Sequence, residues 1–123
     1  MEKQIIKTYR DLKIWQKSIE MVTVIYKLTS HFPNRELFGI TSQIRRSSIS
    51  IPSNIAEGYG RYSRKEYIRF LGISLGSLYE MQTQLQISLN LGYLSSENFH
   101  SLSEGSKEIE RMLSGLIRKL KIQ

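Results

Sequence analysis

The sequence predicts an all-α fold, a single up-down-up-down four-helix bundle. Apolar residues recur at spacings of three and four along almost the whole chain. Pro33, Gly58, Gly60 and Gly92 fall where those periodic runs are expected to stop. No stretch shows the residue-by-residue alternation of a half-buried strand. The 123 residues are enough for one hydrophobic core and too few for two, so one domain over residues 1–123 is expected, with a polar tail over 1–10.

In the first helix, Leu12, Trp15, Ile19, Val22, Tyr26 and Thr29 form one stripe, and Ile14, Ser18, Met21, Ile25, Leu28 and Phe32 form a second beside it. At about 100° per residue the two stripes cover roughly half the circumference, more than one neighbouring core requires. Pro33 ends the helix, because the residue before proline is driven out of the α region.

A second helix is expected from about Arg35 to Gly60, with Leu37, Ile40, Ile44, Ser48, Ile51, Ile55 and Tyr59 on one face. Pro52 lies inside it and costs a regular helix about 3 kcal/mol. The apolar phase is unchanged across it, so a kink near Pro52, over 48–52, is expected rather than two helices. Gly58 and Gly60 are expected to break the helix.

Ser63 and Glu66 have the spacing of a capping box at the start of a third helix. Its buried stripe is Tyr67, Phe70, Leu71, Ser74, Leu78, Met81, Leu85 and Leu89, and Gly92 is its natural stop. Gly72 and Gly76, one turn apart on another face, are expected to admit a neighbouring helix closely. Ser95 or Ser96 caps the fourth helix, whose seam is Phe99, Leu102, Ser106, Ile109, Leu113, Leu116 and Leu120.

Composition narrows the function classes. The absence of cysteine excludes disulfides, thiolate metal sites and cysteine nucleophiles. The start MEKQIIK has no apolar segment of signal-peptide type, and no apolar run nears the ~18–20 residues of a membrane span; a soluble, cytoplasmic chain without a membrane partner is expected. Lys and Arg number 18 against 11 Asp and Glu, giving a net charge of +7 and a pI near 9.8. That balance points to polyanions.

The motifs with catalytic precedent fall away on inspection. Gly72-Ile73-Ser74-Leu75-Gly76 matches a nucleophile elbow, which requires a strand-to-helix turn; here the serine is mid-helix, where it can bond the carbonyl four residues earlier. Glu97 and His100 have the spacing of a di-iron carboxylate bundle, which needs a second such pair and two more inward glutamates. Only His31 remains as a second histidine, expected at the same end. Phosphate-cradling glycine loops and two-metal carboxylate clusters are missing. No enzyme activity, no cofactor and no metal are expected.

Two surfaces stand out instead. On the second helix, Gln43, Ser47, Ser50, Asn54, Glu57 and Arg61 share a stripe beside the apolar face, with Arg46 and Ser53 next to it. Such short amide and hydroxyl side chains suit close packing with every polar group paired. An ordinary exposed face, a subunit contact and bonding to a neighbouring helix all fit. Phe38, Ile49, Pro52 and Ala56 lie on a side away from the core stripe. The candidate subunit interface is therefore Gln43, Arg46, Ile49, Ser50, Pro52, Ser53, Asn54 and Glu57.

The second surface is one pole of the bundle, where helices 1 and 3 start and helices 2 and 4 end. It gathers Lys3, Lys7, Arg10, Lys13, Arg61, Arg64, Lys65, Arg69, Arg118, Lys119 and Lys121 against Glu2, Asp11, Glu57 and Glu66. The rest of the chain balances, so the whole net charge sits there. Clustered cations release counterions from a phosphate backbone and give sequence-tolerant, salt-sensitive binding. Tyr9, Tyr59 and Tyr62 lie at the same pole, either to stack on bases or to cap the core.

The run Leu12-Lys13-Ile14-Trp15-Gln16, then Phe32-Pro33, Glu36, Thr41-Ser42-Gln43-Ile44-Arg45-Arg46, Ser50-Ile51-Pro52-Ser53-Asn54-Ile55-Ala56-Glu57-Gly58, Gly60-Arg61, Phe70-Leu71, Gly76-Ser77-Leu78-Tyr79-Glu80 and Leu91-Gly92-Tyr93 resembles the four-helix bundle proteins encoded within intervening sequences of bacterial 23S rRNA genes, also called S23 ribosomal proteins. The likeness spans about residues 8–121; Ser48 departs from the family's frequent alanine. The resemblance implies a homo-oligomer, a ring of five, without established enzyme activity. A related branch, the accessory protein of diversity-generating retroelements, is a basic pentameric barrel that binds nucleic acid and a reverse transcriptase.

Together these readings lead to the expectation of a non-enzymatic homo-oligomeric scaffold that binds RNA or DNA phosphates through the basic pole, in association with the ribosome or 23S rRNA. The alternative is a protein-interaction module that recruits a polymerase or ribosomal protein and does not touch nucleic acid itself.

Overall fold

The computed structural model describes residues 5–123. A 3₁₀ turn at Tyr9–Asp11 leads into α1 (Lys13–Thr29); a second 3₁₀ turn at Asn34–Glu36 precedes α2 (Ile40–Tyr59), and α3 (Arg64–Asn90) and α4 (Ser96–Lys121) complete the chain. There is no strand among the described residues. α1 packs on α2 and α4, and α3 packs on α2 and α4, with the α2–α3 contact the most extensive. This is the up-down-up-down bundle that the helical period implies.

One core runs through the four helices: Ile14, Met21 and Ile25, then Ile44, Ile51 and Ile55, then Leu71, Leu78, Met81 and Leu85, and finally Leu102, Ile109 and Leu113. Burying each such side chain contributes about 1.5–3 kcal/mol. Serines punctuate the same layers without orphaned hydroxyls. Ser18 donates to the Ile14 carbonyl at 2.6 Å, Ser48 to Arg45 at 2.9 Å and Ser88 to Gln84 at 2.8 Å. Of the two stripes on α1, Ile14, Ser18, Met21 and Ile25 face this core, while Ile19 and Tyr26 stay exposed.

The elements depart from the sequence reading at identifiable places. Residues 7–10, expected in a polar tail, form a capped turn with Asp11: Asp11 Oδ2 accepts from the Lys7 and Thr8 amides at 2.8 and 3.1 Å, and Thr8 Oγ1 accepts from the Arg10 amide at 3.2 Å. α1 ends at Thr29, and Phe32 is buried just beyond it against Tyr93, ring centroids 5.6 Å apart. α2 begins only at Ile40, because the backbone turns at Gly39 (φ −109°, ψ −121°). Leu37 is therefore on no helix face and is exposed. Tyr93 donates to Glu36 Oε2 at 2.8 Å, which ties this turn to the one between α3 and α4.

α2 runs unbroken through Pro52, although proline has no N–H to give the Ser48 carbonyl. Two glycine readings exchange roles. Gly58 does not break α2 but lies inside it, where a Cβ would stand 2.7 Å from Phe70 Cβ. Gly72 and Gly76, expected to receive a helix, have nothing within 4 Å of such a Cβ. α3 has half the expected capping box: Ser63 Oγ accepts from Glu66 N at 3.3 Å, while the Glu66 carboxylate turns to Arg69. α3 ends as expected at Gly92 (φ +78°), where Tyr93 N donates to Ser88 O and Gly92 N to Leu89 O, the paired bonds of a left-handed C-cap. Ser95 caps α4 by accepting from Asn98 N at 3.1 Å.

Candidate nucleic-acid interface

The basic pole assembles from four element ends. Tyr9 lies in a groove with Pro52 and Ala56, bringing the approach to α1 against the last turns of α2. The Arg64 guanidinium donates to the Gln123 carbonyl, joining the start of α3 to the end of the chain. Arg61, just past α2, and Arg69, on α3, bracket the Phe70 ring at 4.9 and 4.6 Å. Lys7, Arg10, Lys13, Arg61, Arg64, Lys65, Arg69, Arg118, Lys119 and Lys121 are all exposed. Lys3, expected with them, lies outside the described residues.

Not every cation is equally available. Arg61 pairs with Glu57 at 3.0 Å, and Arg69 grips Glu66 through Nε at 3.0 Å and Nη2 at 3.3 Å. The hydrogen bond from Arg69, followed by the charges of Arg69, Arg61 and Lys65, holds the Glu66 carboxyl below its ordinary range. Glu66 in turn raises Arg69. Arg118, Lys119 and Lys121 form no ion pair among the described residues.

Helix electrostatics separates these cations into two kinds. Arg118, Lys119 and Lys121 occupy the last turn of α4, where the helix dipole favours positive charge. Lys13, Arg64 and Lys65 occupy the first turns of α1 and α3, where each works against the dipole by about 0.3–1 kcal/mol. Arg64 gains in return its bond to the Gln123 carbonyl at the end of the chain.

The three tyrosines divide as well. Tyr9 packs edge-on to Trp15 with centroids 5.2 Å apart, and Tyr59 edge-on to Tyr67 at 6.1 Å. Burial, then the neighbouring Tyr59, pushes the Tyr67 phenol up to about 12. Tyr62 is fully exposed and alone is free to stack on a base.

The expected subunit-interface residues split between two directions. Ser50 and Asn54 turn inward: the Ser50 and Ser77 hydroxyls are 2.8 Å apart, and Asn54 Nδ2 donates to the Ser50 carbonyl and hydroxyl at 2.8 and 2.9 Å. Ser47, on the same stripe, bonds Gln84 Oε1 at 2.6 Å. Ile49, Pro52 and Ser53 instead line an open groove of about 300 Å³ with Trp15, Ile19 and Val22. Arg46 and Ile49 continue into a second groove with Tyr26 and Phe38, and Phe38 is 92% exposed. Gln43 and Glu57 are exposed beside this face. The sequence showed that α1 has more apolar surface than one core requires, but not that Trp15, Ile19, Val22 and Tyr26 are the surplus stripe or that they share grooves with Ile49.

The motifs with catalytic precedent carry no catalytic geometry. Ser74 is buried and donates to the Ile51 carbonyl of α2 at 2.9 Å, not to the carbonyl four residues earlier. Glu97 and His100 are exposed, and no group of three metal-ligating side chains occurs among the described residues. No helix among them is long and apolar enough to cross a membrane.

The family model for the 23S rRNA-intervening sequence protein matches residues 10–115. Among solved structures, the chain is similar to a protein of unknown function from the S23 ribosomal protein family of Bacteroides thetaiotaomicron VPI-5482, known at 1.70 Å, with a TM-score of 0.77 and 30% identity over 85% of this chain and 97% of that one. No curated protein matches.

Proposed function

The chain belongs to the 23S rRNA-intervening sequence protein family, and on that footing we propose that it is a non-enzymatic, homo-oligomeric scaffold that binds RNA or DNA phosphates through its basic pole. The observation that carries this reading is the placement of Lys13, Arg64 and Lys65 at helix N-termini, beside the cationic last turn of α4. Those residues act against the dipoles of their own helices and in favour of a bound polyanion. Tyr62 adds a sequence-tolerant stacking surface. The open α1–α2 face supplies the apolar area that a second copy would cover. A cyclic arrangement through that face would align the basic poles on one rim. A cytoplasmic, ribosome-associated role is compatible with membership of that family and is part of the same proposal.

Fluorescence anisotropy of a labelled ribosomal RNA fragment tests the reading, beside a DNA duplex of equal length, between about 50 and 200 mM salt. Log affinity should fall linearly with log salt. Arg64→Glu with Lys65→Glu should weaken binding to both probes and flatten the slope by about 0.7–0.9 for each phosphate no longer neutralised. Absence of binding at the lowest salt would overturn the nucleic-acid reading. The exposed Phe38 beside Arg46 then favours the second reading, recruitment of a polymerase or ribosomal protein.

A further inference from the structure

We propose that the turn between α1 and α2, at the end of the bundle away from the basic pole, holds a binding site for a small organic monocarboxylate, with Arg45 and Thr41 as its polar contacts. The cavity there measures about 200 Å³ and is lined by residues including Thr29, Phe32, Pro33, Leu37, Thr41 and Arg45.

Three observations converge on it. Thr41 is 3% exposed, and its hydroxyl oxygen has no hydrogen-bond partner, alone among the buried side-chain polar atoms of the described residues. A buried hydroxyl without a partner is a net cost to the folded chain, and it lines an open cavity. Arg45 is fixed in place: Nε donates to Thr29 Oγ1 at 2.9 Å, Nη2 reaches the Tyr26 carbonyl at 3.4 Å, and the guanidinium lies 4.6 Å from the Tyr26 ring centroid. No carboxylate pairs with it among the described residues, so most of its five N–H donors remain for a ligand. Finally, α2 begins at this wall, with Thr41 as its second residue, and its N-cap Gly39 has no side chain to cap the first amides. An uncapped helix start favours negative charge.

The lining also selects the ligand. Arg45 is the only charged residue at the cavity, so a single negative charge is matched and a phosphate dianion is not. A guanidinium edge suits a carboxylate in a two-point contact. Phe32, Pro33 and Leu37 offer an apolar wall for a short hydrocarbon tail. The site shares no residue with the basic pole and does not depend on nucleic-acid binding.

Titration of the full chain with sodium butyrate, at ionic strength held constant with chloride and followed by ¹H–¹⁵N NMR, tests this. Butyrate should produce saturable shifts at the Thr41 amide and Arg45 Nε–H. Thr41→Val should weaken butyrate by about tenfold while leaving the melting temperature of the free protein unchanged or higher, and Arg45→Lys, which keeps the charge but loses the fork, should weaken it similarly. No saturable shift, or butyrate affinity unchanged in both variants, would overturn the site. Inorganic phosphate binding as tightly as butyrate would overturn the monocarboxylate assignment. A lower melting temperature for Thr41→Val would overturn the orphan role of the hydroxyl, and with it the proposal.

Discussion

The Ser74 hydroxyl donates to the Ile51 carbonyl 2.9 Å away, across the α2–α3 contact and one residue before Pro52. The bond explains a serine in the buried layer of α3: it fastens the two most extensively packed helices at the point where proline removes an intrahelical bond from α2. Ser74→Ala should lower unfolding stability by about 1 kcal/mol in urea denaturation, with hydrolysis of activated esters at the solvent background before and after. Ester hydrolysis above that background, abolished by the substitution, would reinstate the nucleophile-elbow reading.

The glycines give a paired prediction. Gly58→Ala forces a Cβ to within 2.7 Å of Phe70 Cβ and 3.1 Å of Tyr67 Cδ1, and overpacking of this kind costs about 1–3 kcal/mol. Gly72→Ala and Gly76→Ala meet nothing within 4 Å and should each stabilise the helix by about 0.5–1 kcal/mol. Thermal melts of the three variants read the contrast. Destabilisation by alanine at 72 or 76 would show that another surface covers this face of α3 in solution.

Ile49 is 41% exposed and lies in both grooves of the α1–α2 face. If a second copy covers that face, Ile49→Glu should dissociate the assembly by buried-charge desolvation while leaving the helical circular dichroism intact. Light scattering after size-exclusion chromatography measures the mass. An unchanged assembly, or a wild-type protein that is already monomeric, would remove this face from the proposal.

Acid should release the N-terminal turn as the Asp11 carboxylate takes up a proton. Hydrogen bonds from the Lys7 and Thr8 amides hold the Asp11 carboxyl below the ordinary aspartate range. A lowered acid contributes stability above its unfolded value, and that contribution is lost as pH falls through the lower folded value. The Lys7 and Thr8 amide resonances should therefore move together, with a midpoint lower than that of an unpaired aspartate. A midpoint no lower than that of an unpaired aspartate would show that the carboxylate is not held.

The helices, their seams and the capping serines were legible because each rests on local periodicity or a local hydrogen bond. Ile14, Ile25, Ile44, Leu78 and Ile109 are buried where the period of α-helix puts them. What escaped depended on distance across the fold. Gly58 and Gly72 look alike in sequence, and only the position of Phe70 tells them apart. Leu37 fits the phase of α2 but precedes the turn at Gly39. For the polar stripe, periodicity could group Ser47, Ser50 and Asn54 but not say that Gln84 and Ser77 stand opposite. The basic pole followed from topology alone. Arg45 and Thr41 stood in the sequence only as members of the run Thr41–Arg46 that carries the family resemblance, since a buried hydroxyl becomes anomalous only once its surroundings are known.

Trp15 is the sole tryptophan, and it occupies an informative position. Its ring lines the groove with Ile19, Ile49 and Pro52, meets Tyr9 edge-on, and has the Arg10 guanidinium 5.7 Å from its centroid. The molecule thus has a native spectroscopic gauge at the junction between its apolar face and its cationic end. Covering the groove should shift the indole emission to shorter wavelength, while a polyanion that draws Arg10 away should change its intensity. Self-association and ligand capture could then be followed separately, on unlabelled protein, from a single fluorophore.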